Sequence, residues 1–256
     1  MIDARAVVDP AAEIDQGVEI GPFSIIGEGV RIASGTVVGP HVVIRGDTGI
    51  GHDNRIFQFA SIGEDPQDKK YAGERTRLEI GNRNQIREFV TVHRGTVQDA
   101  GLTRIGDDNL LMAYAHVAHD CDIANHVIMA NAASLGGHVQ VDDWAILGGF
   151  SVVHQFCRIG AHSFAGMASV ISKGVPPYVL VAGNPARARG INSEGLKRRG
   201  FDEAQIARIK QAYRILYNAG LMTTEAIARL ESELSEWPET RLLLEFLSSS
   251  ERSFTR

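Results

Sequence analysis

Nine histidines occur in this 256-residue chain, and the spacing of a few of them could do chemistry. His119, His138 and His154 are third, fourth and second in six-residue units that begin at Val117, Leu135 and Val153. Those units start eighteen residues apart. If three units make one three-sided coil, the three lie over one another on a single face. The imidazoles then fall within about 10–15 Å of each other. His116 ends the preceding unit, and Gln155 follows His154 on the same strip. Imidazole titrates near neutrality, so one member could serve as a general base while its neighbours orient a substrate. A metal site is a second reading, but its ligands must all come within about 2 Å of one ion. A strip spread over three coils would need ligands from another subunit. The third reading is a row of solvated surface histidines.

The elements that must position this strip are written in a second pattern. An aliphatic residue recurs every six positions at Ile14, Ile20, Ile26, Ile32, Val38, Ile44, Ile50, Ile56 and Ile62. The register returns at Ile80, Ile86 and Val92, and again from Ile105 through Ile171. Four residues after most of these aliphatics stands a small or β-branched residue, as at Val18, Ser24, Val30 and Thr36, and later Ala115, Cys121 and Val127. A period of six fits neither an amphipathic helix nor an alternating strand. It predicts a mainly β fold, a parallel β-helix of hexapeptide repeats, in which the aliphatic and the small residue fill the interior. Glycine just after the aliphatic (Gly21, Gly27, Gly39, Gly51) is expected to serve the tight corners.

The β-helix is expected over residues 1–190. Two segments, 64–79 and 97–104, lack the pattern and are expected to be loops thrown out on the binding side, since both precede the histidine-rich stretch. Pro176-Pro177 and Gly183-Asn184-Pro185 read as a linker. Residues 191–256 read as a small α-helical domain. Its helices are expected after Asp202, from Thr223 or Thr224, and from Pro238.

Composition excludes several classes. The net charge of −5 gives no global basic field for nucleic acid. No apolar run approaches a membrane span and the first residues are not a signal peptide, so a cytoplasmic location is expected. Cys121 and Cys157 both fall on the inward column two coils apart, too far for a disulfide, and are expected to be core packing. No cofactor and no metal are expected.

Local motifs then carry a resemblance. They are Tyr71-Ala-Gly-Glu74, Ile86-Arg-Glu88, His93-Arg-Gly-Thr96, His116-Val-Ala-His-Asp-Cys121, Gly136-Gly-His-Val139, His154-Gln-Phe-Cys157, Ile159-Gly-Ala-His162 and Glu194-Gly-Leu-Lys-Arg-Arg-Gly200. Together they resemble the UDP-N-acetylglucosamine O-acyltransferases that begin lipid A biosynthesis, and the match covers essentially the whole chain. The resemblance implies a left-handed coil, a homotrimer with sites between subunits, and transfer of a 3-hydroxyacyl group from acyl carrier protein to the glucosamine 3-hydroxyl. It implies His119 as general base, Asp120 as its supporting carboxylate and the Gly137 backbone N–H as oxyanion donor. Asp68, Lys70, His116 and His138 match positions that hold the sugar or shape the site. His154, Gln155, Asn192, Glu194, Arg198 and Arg199 match positions at the nucleotide or supporting its pocket. No acyl-enzyme is expected, because neither cysteine faces outward and no serine has a histidine close to it in the repeat. The basic run Lys197-Arg198-Arg199 would steer the acidic carrier protein.

Gly149 and Met167 are third in units one coil apart, on a face adjoining the histidine strip. In the family the acyl chain runs along this groove, and long-chain members carry glycine where Met167 stands. A methionine reaches roughly four heavy atoms further and blocks about four methylenes, which implies a preference near ten carbons. Rival readings are the related N-acyltransferase of the same pathway, an enzyme taking a 3-amino sugar, and a metal-dependent hydratase of the carbonic anhydrase type. The N-acyltransferase usually has an extra N-terminal domain, whereas this chain enters the repeat by about residue 8.

Overall fold

The computed structural model describes residues 1–249 and 253–256. The six-residue period becomes a left-handed parallel β-helix. Strands of mostly two residues pair with the strand one full coil on, so that Val7 lies beside Ile25 and Ile25 beside Val43. Every third strand belongs to the same sheet, and the described residues form sheets of nine, eight and ten strands. A two-residue strand has no stability of its own. What holds it is the ladder above and below, and the aliphatic that each strand sends inward. Ile26, Ile44, Ile62, Val92, Val117 and Leu135 are all buried in one continuous column. Each such side chain contributes about 1.5–3 kcal/mol.

The inward column four residues on is small or β-branched in most coils, but three coils place asparagine there. Asn54, Asn84 and Asn109 are fully buried. Asn84 donates Nδ2–H to Asn54 Oδ1 (3.0 Å) and to Gly106 O (2.9 Å). Its own Oδ1 accepts the Asn109 N–H at 2.8 Å. These side chains close the corner carbonyls and amides that the strands leave over.

The corners differ from the sequence expectation. The left-handed residue is the third after the aliphatic, as at Phe23, His41, Phe59, Phe89 and Tyr114. These side chains stack coil on coil at centroid spacings of 5.1, 5.4, 5.0 and 4.7 Å. Stacked rings offset the steric cost of the left-handed backbone. Glycine directly after the aliphatic serves another purpose. At Gly148 an added Cβ would lie 2.6 Å from Ala165 O of the next coil, so close approach requires it there.

The two breaks are visible in the register. Ser61 pairs with Thr91, thirty residues on rather than eighteen, and Thr91 with His116, twenty-five on. The extra residues leave as loops between strands Ser61–Glu64 and Arg77–Ile80, and between Thr91–His93 and Leu102–Ile105. Residues 77–79 and 102–104, expected in the loops, are therefore strand. After Val170–Ile171, Val179–Ala182 continues one sheet in parallel. It then turns at 183–186 to pair antiparallel with Arg187–Ile191. The expected linker at 183–185 is thus a hairpin turn.

Among the described residues four helices follow: α1 Ser193–Arg198, α2 Glu203–Asn218, α3 Thr223–Leu234 and α4 Pro238–Ser249. Asp202 caps α2 in a full capping box with Gln205. The short α1 was not separately anticipated. Residues 250–252 of the expected 191–256 segment lie outside the described residues. The helices share a core of Leu216, Leu230, Leu234 and Leu243. Phe246 seals the last coil beneath the Arg158 guanidinium, 5.3 Å from its ring centroid. Among the described residues no helix is long and apolar enough to cross a membrane.

Replacing Asn84 by Ala strips partners from buried groups on both sides. It should lower unfolding stability by about 2–4 kcal/mol, read from the denaturant midpoint. A loss below 0.5 kcal/mol would show that the buried ladder is not structural.

Candidate active site

Both loops fold back over the corner that carries the histidines. They enclose a cleft of about 870 Å³. Its floor is His119, His138, Gln155 and Phe156. Asp68, Lys69 and Lys70 come from the first loop and Gln98 and Asp99 from the second, while Arg158 and Ser249 close one end.

Asp120 organises the floor. It is a left-handed corner residue, and its side chain is all but inaccessible. Its Oδ1 accepts the Thr96 N–H (2.8 Å) and its Oδ2 the Thr96 hydroxyl (2.6 Å). Its own N–H donates to Thr103 Oγ1 at 2.8 Å. Thr96 and Thr103 flank the second loop, so the loop is fastened to this corner at both ends. Burial alone would raise the Asp120 carboxyl, but the bonds from His119 and Thr96 outweigh it and hold it below its usual range. Asp120 Oδ2 lies 2.8 Å from His119 Nδ1. A carboxylate only accepts, so Nδ1 carries the proton and Nε2 is left as the basic nitrogen. Gly137 lies beneath this ring, where an added Cβ would stand 2.5 Å from His119 Cε1. The Gly137 N–H has no backbone or side-chain partner among the described residues.

His138 is stacked on Phe156 (4.4 Å between centroids, 7° between planes) and meets His119 edge-on at 5.2 Å. Its Nδ1 lies 2.8 Å from Asp99 Oδ2. His119, Asp120 and His138 have ligand atoms close enough to hold a metal ion. The donor set argues against that use: both Asp120 oxygens already accept from Thr96, and one also from His119.

His116 joins from the strand before, its Nδ1 2.7 Å from Thr91 Oγ1. Burial pushes its imidazole down to about 4, with His93 and His119 adding to the effect. His93 stands in one of the sequence motifs but has no role assigned from sequence. Its ring meets His116 edge-on at 5.4 Å, and its Nδ1 lies 2.6 Å from Asp65 O. Burial lowers it too. Arg94 beside it reaches Gly63 O, Asp65 and the Tyr71 hydroxyl. His93 and Arg94 thus pin the first loop, and with it Asp68 and Lys70. Only the contact partners, invisible in sequence, reveal this.

The chain does not gather every expected residue here. His154 is exposed, with Nδ1 3.1 Å from Gln155 O, and does not line the cleft. Asn192, Glu194, Arg198 and Arg199 lie on α1 or cap its ends, at a different corner. Asn192 caps α1 and donates to His162 O at 3.0 Å. Arg199 lies 3.4 Å from His162 Nδ1 and over the Trp144 ring. Gly149 and Met167 sit on the third corner, where Met167 is 79% exposed. Cys121 and Cys157 are buried and are not joined in a disulfide. Burial pushes the Cys121 thiol up to about 12, which leaves it unreactive. One expectation needs correcting. Ser34 Oγ does lie 3.0 Å from a histidine, His52 Nδ1, because the two stack one coil apart. The pair is exposed and outside the cleft.

Comparison with known proteins fits this arrangement. Residues 175–255 match the profile described as UDP N-acetylglucosamine O-acyltransferase, domain 2, and residues 11–46 match bacterial transferase hexapeptide repeats. Curated acyl-[acyl-carrier-protein]–UDP-N-acetylglucosamine O-acyltransferases are similar over their whole length. That of Janthinobacterium sp. (strain Marseille) is 54% identical over all of this chain and 99% of the relative. That of Pseudomonas syringae pv. syringae (strain B728a) is 56% identical with the same coverage. The chain belongs to the UDP-N-acetylglucosamine O-acyltransferase family. Solved structures of the family superpose closely. LpxA from Acinetobacter baumannii gives a TM-score of 0.97 at 49% identity, over all of this chain and 99% of that one. The Francisella novicida UDP-N-acetylglucosamine acyltransferase gives 0.98 at 41% identity, over all of this chain and 94% of that one.

The depressed histidine has a pH consequence. The folded protein resists protonating His116, whereas the unfolded chain takes up the proton near its ordinary 6.5. Its stabilising contribution is therefore complete above about 6.5 and is lost as pH falls from there toward about 4. Unfolding free energy should fall across that window with a slope of at most about 1.4 kcal/mol per pH unit from this residue. His116→Asn should flatten the slope measured by denaturant titration, and an unchanged slope would contradict the assignment.

Proposed function

We propose that this chain transfers a 3-hydroxyacyl group from acyl carrier protein to the 3-hydroxyl of UDP-N-acetylglucosamine, the first step of lipid A biosynthesis. The observation that carries the reading is the Asp120–His119 pair at the floor of the loop-walled cleft. Its free Nε2 is the base: it takes the proton of the sugar hydroxyl as that oxygen attacks the thioester carbonyl. Asp120 holds the ring in the required tautomer and stabilises the imidazolium that forms. The Gly137 N–H receives the developing oxyanion. Collapse expels the carrier thiolate, which recovers the proton from His119. No side chain is acylated. The buried thiols and the remoteness of Ser34 from the cleft support that.

Asp68, Lys70, His116, His138 and Gln155 hold the sugar and shape the site. His154, Asn192, Glu194, Arg198 and Arg199 serve the nucleotide end, where guanidinium groups suit a diphosphate. Those on α1 reach a site only if another copy of the chain supplies them, so the enzyme is a homotrimer with its sites between subunits. The exposed ring column Phe23, Phe59, Phe89 and Tyr114 supports such packing. The basic run on α1 attracts the acidic carrier protein at the cleft mouth. The enzyme works in the cytoplasm.

Replacing His119 by Ala should cut kcat about 10²–10⁴-fold with the fold retained, as judged by circular dichroism and thermal unfolding. Retention of rate within tenfold would remove His119 as the base.

Chain length follows from the third corner. With Met167 standing over Gly149, the acyl groove is stopped, and a donor of about ten carbons is preferred over one of about fourteen. Competition between the two donors should favour the shorter in the wild type and move toward the longer in Met167→Gly. A wild type that prefers the longer donor, or a substitution without effect on the ratio, would show that Met167 is not the stop.

A further inference from the structure

The two histidines of the cleft floor share one carboxylate oxygen. Asp120 Oδ2 is 2.8 Å from His119 Nδ1 and 3.8 Å from His138 Nε2. A neutral imidazole carries a single N–H. If that of His138 lay on Nε2, it would point at Oδ2 and compete with His119 for the oxygen that sets the tautomer of the base.

The second loop prevents this. Asp99 turns its Oδ2 to His138 Nδ1 at 2.8 Å, and its Oδ1 accepts the Ala100 N–H at 2.8 Å. Both oxygens are thus committed, and the carboxylate is aimed. The loop is itself tied to the same corner through Thr96 and Thr103. We propose that Asp99 is a positioning residue: by drawing the proton of His138 onto Nδ1, it keeps His138 from competing for Asp120, and so keeps His119 in the tautomer with a free Nε2. The charged groups around His138 are Asp99 and Asp120 in contact, His119 edge-on, and Asp68, Lys69, Lys70 and Arg158 across the cleft. Of these only Asp99 reaches Nδ1. Neither the histidine strip nor any local motif signals this residue, because its partner lies thirty-nine positions away.

The inference rests on the proposed transfer for its rate arm but not for its spectroscopic arm. Full-length protein labelled with ¹⁵N-histidine, at mildly alkaline pH, should show His138 protonated on Nδ1 in long-range ¹⁵N–¹H correlations. In Asp99→Ala the Nε2–H form should appear. With acyl carrier protein donor and UDP-N-acetylglucosamine, Asp99→Ala should lower kcat about tenfold with KM for the sugar nucleotide within about twofold. Asp99→Asn keeps one acceptor and should fall between. An Asp99→Ala protein in which His138 stays protonated on Nδ1, or whose kcat is within twofold of wild type, overturns the proposal. A wild type without any transfer would instead overturn the proposed function, and the tautomer would then decide this inference alone.

Discussion

Everything in this molecule depends on one constraint, the parallel stacking of coils at eighteen residues per turn. No two-residue strand persists alone. Each is fixed by the ladder bonds to its neighbours and by the aliphatic it buries. Because the spacing is set by backbone hydrogen bonds, residues eighteen apart are held at one height interval wherever they lie. A corner side chain is therefore placed nearly as rigidly as a core side chain, which suits the proposed role of His119 as a base held in one orientation.

The cleft exists where that regularity is interrupted. Two insertions leave the coil just before the histidine corner, and each is tied back by buried polar contacts. His93 and Arg94 hold the first and Thr96 and Thr103 the second. The coil supplies His119, Asp120, Gly137 and His138, while the loops supply Asp68, Lys70 and Asp99. Rigid elements thus carry the residues proposed to do the chemistry, and loops carry the walls. Asp120 sits between the two. Its oxygens answer to the loop through Thr96 and to the proposed base, His119.

Much of this was legible in the sequence because the period is set by the buried column, and burial writes itself into residue type. The β-helix, the inward small residues and the closeness of His119 and His138 on successive coils follow from counting by six and eighteen. What counting could not supply was side-chain direction. His154 lies on the same strip, one position short of the register of His119, and turns away from the cleft. Ser34 and His52 do fall in register, and their contact went unforeseen. The corner rings and the buried asparagines occupy positions whose residue types vary, so no single composition marks them. Arg199 rests on Trp144 through tertiary packing alone. The chain end also read differently: Gly183 and Pro185 signal a turn, but not that the strands flanking it would pair antiparallel.

The central claim is that a base held by Asp120 transfers the acyl group directly, with no side chain acylated on the way. Intact-mass spectrometry during turnover tests it most directly. The protein is incubated with 3-hydroxyacyl carrier protein, first without and then with UDP-N-acetylglucosamine. The account predicts that the mass of the chain stays unchanged throughout and that the 3-O-acylated sugar nucleotide forms only once the acceptor is present. A covalent acyl adduct on the chain before the acceptor is added, or the absence of any acylated sugar afterwards, would contradict it.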